Sequence, residues 1–219
     1  MGLFGRPVNA VKHALSRDYR AAFRTHCHVL IQTGYECVRR ENHFESHEDD
    51  ITMRLVEEIN RFLRSDTCPR WSRRYCVRDQ APQSSSATPA RCRPKVDIEM
   101  ESLKRGRPLY HFEAKRLRRN GNSVMAYLGR EGLGCFLSAR YGRSSAEGGM
   151  LGYVQSDSPA AWARGLSRVL TSGAEFQLVK GPQWSAVAIP GGPSDVFSTY
   201  HTRDGLPDIT ILHSFLDFR

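Results

Sequence analysis

The sequence predicts an α/β (α+β) fold in which helices flank a central mixed β-sheet. Apolar residues recur at helical spacing through the first part of the chain, whereas the stretch after residue 95 contains short runs rich in β-formers. Two further helical patterns interrupt these runs. Helices and strands interleaved along one chain are typical of a sheet covered by helices. Because 219 residues can bury one good core, we predict a single domain over residues 1–219.

Two N-terminal helices are predicted within about residues 7–65. Apolar side chains repeating about every 3.6 residues indicate a helix over 7–33, and Gly34 is expected to end it. The second helix carries an apolar stripe over 51–63, with Ser46 as its expected N-cap. The chain is therefore expected to begin with a helical layer.

A β-hairpin is the clearest feature of the middle of the chain. Residues 70–78 are predicted as a strand, and residues 79–94, rich in Ser, Pro and Ala, as a flexible insertion that packs little. Residues 95–103 and 108–117 then form the two arms of a hairpin, joined by a short basic turn at Gly106.

The second half of the chain is predicted to alternate between helix and strand. A helical pattern over 123–141 contains three glycines, which weaken it, and Gly148-Gly149 are expected to break the chain before a strand over 150–155. Ser158-Pro159 begin a helix that runs to about residue 170. Closing strands are predicted over 184–189, 195–203 and 209–218.

The charge of the chain favours a polyanionic partner. The net charge is +9, and only five of the 32 basic residues are Lys. Guanidinium groups bind phosphate through paired hydrogen bonds, which favours nucleic acid, although arginine-rich usage also follows from GC-rich coding. No run approaches the roughly 18 apolar residues that cross a bilayer, and the N-terminus lacks the features of a secretory signal. We therefore expect a cytoplasmic protein with no membrane partner.

Three charged residues lie in the two hairpin strands, where charge is costly. Glu113 and Lys115 are two residues apart, so they point to the same side of their strand. Asp97 is on the other strand, where a suitable register would place it beside Glu113. Two carboxylates held close need a cation, and Mg²⁺ commonly binds one or two carboxylates together with phosphate oxygens. The pattern favours phosphodiester hydrolysis, while a solvated strand face with alternating charges is the ordinary alternative.

The order Asp97 and then Glu113-Ala114-Lys115 on the next strand resembles the active-site signature of the PD-(D/E)xK nuclease superfamily, which has the restriction-endonuclease-like fold. Val96 precedes Asp97, so the Pro-Asp dipeptide of the signature is absent. The resemblance implies that Asp97 and Glu113 are catalytic residues and metal ligands, with Mg²⁺ as cofactor and Mn²⁺ as a substitute. It also implies that Lys115 is the catalytic cation.

Many members of the superfamily place a further carboxylate on the helix before the first core strand. Glu48 matches that position best as an auxiliary ligand and catalytic residue, and Asp49 and Asp50 are rivals. Acidic residues at a helix N-terminus are also explained by the helix dipole alone. The stretch FEAKRL further resembles small bacterial nucleases, some of them associated with phage defence or restriction.

Candidate nucleic-acid-binding residues lie beyond the hairpin and near the C-terminus. They are Arg116, Arg118, Arg119, Gln155, His201 and Arg203. A basic strand exit exposed to water is an equal alternative for the first three, and His201 with Arg203 could instead complete a structural network.

The favoured function from sequence is a divalent-metal-dependent nuclease that hydrolyses DNA. RNA is not excluded as substrate, and a homodimer or a partner protein that supplies specificity is compatible with the sequence. The alternative is a non-catalytic nucleic-acid-binding or scaffolding protein with a nuclease-like fold. Metal-dependent cleavage distinguishes the two.

Overall fold

A mixed seven-stranded β-sheet with helices on both faces forms the described part of the protein in a computed structural model, which confirms the predicted fold class. The structure describes residues 8–41, 45–82, 94–103, 106–173, 176, 178 and 183–219, and only the backbone of 8–18. The helices are α1 (Val8–Val38), α2 (Glu48–Arg64), α3 (Ser123–Leu128), α4 (Leu133–Leu137) and α5 (Pro159–Ser172), with a 3₁₀ turn at Ser72–Arg74. The strands are β1 (Tyr75–Pro82), β2 (Lys95–Ser102), β3 (Leu109–Leu117), β4 (Glu147–Val154), β5 (Ser185–Ala186), β6 (Val196–Arg203) and β7 (Leu206–Asp217).

The order of strands across the sheet is β1-β2-β3-β4-β7-β6-β5. The central strands β3, β4 and β7 are parallel, and the flanking pairs are antiparallel. Parallel strands are usually buried on both faces, and β4 follows that rule because seven of its eight residues are buried. The predicted hairpin is present as β2 and β3, so the charged strands lie next to the buried centre of the sheet.

Two separate hydrophobic cores cover the two faces. On one face, Leu55 and Ile59 of α2 pack with Phe112 and Tyr153 of the sheet. On the other face, α3, α4 and α5 pack on side chains that include Met150, Ile211 and Phe215. The amphipathic pattern of α2 therefore predicted its buried side correctly.

The prediction that Gly34 ends the first helix is wrong. Helix α1 continues to Val38, and Gly34 lies where α1 meets α2. A Cβ atom on Gly34 would come within 2.7 Å of a side-chain carbon of Ile59 and 2.9 Å of the Leu55 carbonyl oxygen. The glycine is explained by the close approach of two helices and not by helix termination.

Two other glycine predictions also need correction. Gly148 and Gly149 do not break the chain but lie inside β4, where a Cβ would meet the rings of Phe136 and Phe112 at 2.6 and 2.2 Å. The helix predicted over 123–141 is instead two short helices, α3 and α4, separated by a turn around Gly129.

Other element boundaries also differ from the predictions. Strand β1 begins at Tyr75, so residues 70–74 of the predicted strand lie outside it, and it runs to Pro82, so residues 79–82 belong to the sheet and not to the predicted insertion. The rest of that insertion, 83–93, lies outside the described residues. The N-cap of α2 is His47 and not Ser46, whereas Ser158 caps α5 by accepting a hydrogen bond from the Ala161 amide at 3.2 Å.

No helix in the described ranges has the length and apolar character needed to cross a membrane.

Candidate active site

The hairpin register brings Asp97 and Glu113 to the same side of the sheet. Ile98 pairs with Phe112, and both belong to the core beneath α1 and α2. Side chains alternate along a strand, so the neighbouring Asp97 and Glu113 point towards the opposite face. Both carboxylates are buried, with 8% and 4% of the residue surface exposed. The sequence prediction that these two acids share a surface agrees with this geometry.

Lys115 joins the two carboxylates and a third one from α2. Its Nζ atom lies 2.8 Å from Glu113 Oε1, 3.0 Å from Glu48 Oε1 and 3.7 Å from Asp97 Oδ2. The ammonium also donates to the Ala114 carbonyl oxygen at 2.6 Å. Asp97, Glu113, Lys115 and Glu48 therefore form one group, which we call the acidic cluster.

Glu48 is held at the head of α2 by the backbone of β3. Its Oε2 atom accepts a hydrogen bond from the Arg116 amide at 2.8 Å, while Oε1 bonds Lys115. Its rivals Asp49 and Asp50 are exposed, although the charge of Asp49 still acts on Asp97 through space. Among the three acids of this turn, Glu48 is the one that enters the cluster.

Two side chains fix the segment that leads into Glu48. The Gln155 amide, fully buried at the end of β4, donates to the Ser46 carbonyl oxygen at 3.0 Å. The guanidinium of Arg116 donates to the same oxygen at 3.3 Å. Both residues were predicted to contact nucleic acid, and in the structure both bind the segment that leads into α2.

Asp97 is oriented by a backbone amide and by a side chain that the sequence did not indicate. Its Oδ2 atom accepts a hydrogen bond from the Ala114 amide at 2.8 Å, and Oδ1 accepts one from the Gln80 side-chain amide at 3.2 Å. Gln80 has a positive φ of 46° between two residues that pair with β2. It escaped prediction because residues 79–94 looked like an insertion.

The acidic cluster has three carboxylates for one ammonium, so it lacks positive charge. Burial and the nearby Asp97 carboxylate raise the pKa of Glu113 to about 8. Burial also raises the pKa of Asp97, against the opposing effect of Lys115. Burial lowers the pKa of Lys115, but the three carboxylates outweigh that effect and the net change is upward. The cluster therefore attracts further cations, beginning with protons.

A hard divalent ion fits the donors of the cluster. Glu113 Oε2 is buried and has no hydrogen-bond partner among the described residues, so one carboxylate oxygen is uncommitted. Carboxylate oxygens are the ligands that Mg²⁺ prefers. In the described ranges, however, no three His, Cys, Asp or Glu side chains are already arranged around one metal position. The ammonium of Lys115 lies among the three carboxylates, so an ion would have to compete with it.

The other predicted basic residues at the strand exit are partly committed. Arg118 is half-buried, and its amide donates to Ser123 Oγ at 3.0 Å. Arg119 is exposed and forms an ion pair with Asp157. Both lie just beyond Lys115 on the chain, so their position is compatible with contact to a bound polyanion.

His201 and Arg203 are not brought to the acidic cluster. They lie on β6, three strands from β3, which corresponds to roughly 14 Å across the sheet. His201 is fully buried and bonds Thr199 and the Phe176 carbonyl oxygen at 2.7 and 2.8 Å. Arg203 is 4% exposed, and its guanidinium donates to carbonyl oxygens that include those of Pro207 and Ser145. These contacts correspond to the structural network that was the alternative for this pair.

Comparisons with known proteins found no relative of the chain. No family model, no curated protein and no solved structure matches the chain.

Proposed function

We propose that the protein is a divalent-metal-dependent nuclease that hydrolyses phosphodiester bonds of DNA at the acidic cluster. The observation that carries the proposal is the convergence of Asp97, Glu113 and Glu48 on the ammonium of Lys115. Strands β2 and β3 and helix α2 each contribute one carboxylate to the same position. Burying these charges costs free energy of folding, and a purely structural role does not explain that cost. The net charge of +9 supports a polyanionic substrate.

The residues divide the work of hydrolysis according to their charge. In the reaction, water attacks phosphorus, one P–O bond forms, one P–O bond breaks, and a phosphate monoester and a hydroxyl group result. Lys115 donates to non-bridging phosphate oxygens and stabilises the charge that develops on them. Asp97 and Glu113 would hold the divalent ion, with Glu48 as an auxiliary ligand. The bound ion would supply Lewis acidity and activate the attacking water.

Three hydrogen bonds keep the acids in position for this role. The Ala114 amide and the Gln80 side chain fix both oxygens of Asp97, and the Arg116 amide fixes Glu48. Acids positioned by backbone amides lose little conformational entropy when a substrate arrives, so they are suited to act as a prearranged site.

Incubation of the purified protein with linear plasmid, circular plasmid, single-stranded DNA and RNA tests the proposal. Each substrate is assayed with Mg²⁺, with Mn²⁺ and with chelator. We expect DNA cleavage with either ion, loss of cleavage with chelator, and loss of cleavage in Asp97→Asn with DNA binding retained. Asp66→Asn is the matched control because Asp66 is exposed and lies outside the cluster. Cleavage by Asp97→Asn at the rate of the control would refute the assignment.

A second candidate is a non-catalytic nucleic-acid-binding or scaffolding protein. It is favoured by the contacts of Lys115, which partly neutralises all three carboxylates without a metal ion. Under that alternative the protein binds DNA, cleaves none of the four substrates with either ion, and loses stability when Lys115 is replaced.

A further inference from the structure

A short turn before β1 carries arginine side chains on its outside. Arg70, Arg73 and Arg74 are exposed, and the last two belong to the 3₁₀ turn that leads into the strand. Among the residues that the structure describes, none of these three guanidinium groups forms a hydrogen bond or an ion pair. We call the three arginines the basic turn.

Hydrogen bonds fix the backbone that carries the basic turn. The buried Ser72 donates to the Pro69 carbonyl oxygen from its hydroxyl at 2.7 Å and from its amide at 2.9 Å. The Arg74 carbonyl oxygen accepts a hydrogen bond from the Leu103 amide at 2.7 Å. The backbone is therefore held at both ends of the turn, and the arginine side chains project outward from fixed positions.

No acid pairs with the basic turn in the part of the chain that the structure describes. The nearest acids along the sequence, Asp66 and Asp79, form no ion pair with it. On α2, by contrast, Arg54 pairs with Glu41 at 2.8 Å and with Glu57 at 2.9 Å. Like charges held close repel each other, so three unpaired guanidinium groups cost free energy that the binding of an anion recovers.

Strand β1 connects the basic turn to the acidic cluster. It comes first in the order of the sheet, so one of its sides has no neighbouring strand among the described residues. Gln80, six residues after Arg74, donates to Asp97 of the cluster at 3.2 Å. At 3.3 Å per residue the two positions on β1 are about 20 Å apart. Arg78 lies between them, and 49% of its side chain is exposed. Exposed arginines thus follow β1 from the turn towards the cluster.

The stiffness of duplex DNA suits two contacts at this separation. A B-form duplex advances about 3.4 Å per base pair, so about 20 Å corresponds to about six base pairs. Its persistence length is about 150 base pairs, so a duplex held at one contact reaches the second without further ordering. A flexible single strand would have to be extended and ordered between the two contacts, which costs binding free energy.

The aromatic residues beside the basic turn are engaged within the fold. The Trp71 ring stacks on His26 with 4.2 Å between ring centroids, and it meets the Tyr75 ring at a steep angle with 5.9 Å between centroids. Trp71 also packs against the hydrophobic core beneath α1 and α2. Single-strand binding commonly uses open aromatic faces on which bases stack. Here the outward groups are guanidinium groups, which bind phosphate.

We propose that the basic turn is a second DNA contact, which binds the phosphate backbone of duplex DNA about six base pairs from the bond that is cut at the acidic cluster. The inference deepens the proposed function and rests on it for the identity of the substrate. Phosphate contacts carry no sequence information, so the turn adds affinity for duplex DNA of any sequence. Its binding part is measurable without any cleavage.

Binding of a labelled duplex of about 20 base pairs in chelator tests the contact. The double variant Arg73→Gln and Arg74→Gln should weaken binding about tenfold, or about 1.4 kcal/mol, and should reduce the slope of log affinity against log salt by about 1.8. The matched control, Arg164→Gln and Arg168→Gln, removes two exposed charges from α5, which packs on β7, four strands from β1. The control should change affinity by less than about threefold. Equal effects of the two double variants, or no binding of the duplex by the wild type, would overturn the inference.

A charge-preserving variant separates phosphate binding from an effect on the fold. Arg73→Lys and Arg74→Lys keeps both positive charges and should bind the duplex within about threefold of the wild type. If it binds as weakly as the glutamine variant, the turn does not act through its charge and the inference is wrong.

A single strand of the same length tests the form of the ligand. The wild type should bind the duplex more tightly than the single strand, and the glutamine variant should lose most of that preference. If the wild type binds both equally and the variant weakens both equally, the assignment to duplex DNA is wrong.

Cleavage assays with Mg²⁺ and Mn²⁺ separate this inference from the proposed function. Duplex binding that depends on Arg73 and Arg74, without cleavage by the wild type, keeps the DNA contact at the turn and refutes the nuclease. Cleavage by the wild type, with duplex binding unchanged in the glutamine variant, keeps the nuclease and refutes the second contact.

Discussion

Replacement of Lys115 by Met should strengthen divalent-metal binding while abolishing cleavage. The ammonium is close to three carboxylate groups, and its side chain is only 12% exposed. At an effective dielectric constant of about 20, one charge pair at roughly 3 Å is worth about 5 kcal/mol. A metal ion that enters the wild-type cluster must disrupt part of this attraction. We take it that Lys115 keeps somewhat more than half of the energy of one ion pair when the metal binds. The metal then loses about 2 kcal/mol of binding free energy to the lysine, and removal of the charge should raise metal affinity about 30-fold.

Calorimetric titration of the variant and the wild type with Mn²⁺ measures this difference. Lys95→Met is the matched control, because Lys95 is exposed at the start of β2 and lies outside the cluster. Without metal, Lys115→Met should be less stable than the wild type by about 2–3 kcal/mol, since three carboxylates then lack their ammonium and are relieved only by protonation. Added Mn²⁺ should restore most of that loss. Metal affinity equal to or weaker than that of the wild type would refute competition between lysine and ion.

The remaining predictions concern stability and the positioning of Asp97. Burial lowers the pKa of His28 to about 3, against 6.5 in the unfolded chain. The neutral ring therefore stabilises the fold above pH 6.5, and this contribution to stability is lost as the pH falls towards 3. Between pH 7 and pH 5 the wild type should lose about 2 kcal/mol more than His28→Gln in urea unfolding, and parallel curves would contradict this. Gly34→Ala should destabilise by about 1–3 kcal/mol through contact with Ile59, whereas Gly165→Ala, with open space around its Cβ, should stabilise by about 0.5–1 kcal/mol. Equal effects of the two changes would contradict the close approach of the helices. Gln80→Asn should slow cleavage about tenfold in a plasmid assay with oligonucleotide binding unchanged, because the shorter amide cannot reach Asp97; an unchanged rate would remove Gln80 from the site.

Sequence patterns predicted the elements whose signals are local. The apolar stripe of α2 and the Ser158-Pro159 start of α5 depend on residues a few positions apart, and both agree with the structure. The glycines were misjudged because their reason is tertiary. Gly34 faces another helix, and Gly148 faces an aromatic ring from α4, which no local pattern reveals.

Most of the acidic cluster, like the local elements, could be predicted from the sequence. Alternation along β3 fixed the common side of Glu113 and Lys115, and the hairpin supplied Asp97. The same alternation extends to His111 and Glu99, so a longer application of the rule would have placed both on the side of the sheet that carries the cluster. Gln80 gave no signal, because a polar residue before a Ser- and Pro-rich stretch is typical of a loop.

The two polar residues assigned to β6 illustrate a limit of another kind. His201 and Arg203 alternate along a strand just as Glu113 and Lys115 do, yet all their observed partners lie inside the fold. Sequence alternation shows which side chains share a face, but it does not show whether that face is covered. Burial and hydrogen-bond partners had to be seen before a structural network could be separated from a binding surface.

The covering of the sheet explains why the charges of β2 and β3 are tolerated. On the face that carries the acidic cluster, α3 packs on β3, α4 on β6 and α5 on β7. Along β2, the buried carboxylates of Glu99 and Glu101 pair with the exposed guanidinium groups of Arg78 and Arg107. Apolar side chains at these positions would make a stable sheet only if something covered them, so a charged surface is compatible with a face that stays accessible. In the cluster, buried carboxylates outnumber the ammonium, and the free-energy cost of their charges shows in the raised pKa of Glu113. Stability thus accounts for the polar face as a whole but not for the cluster, where the excess of negative charge favours binding of a proton or another cation.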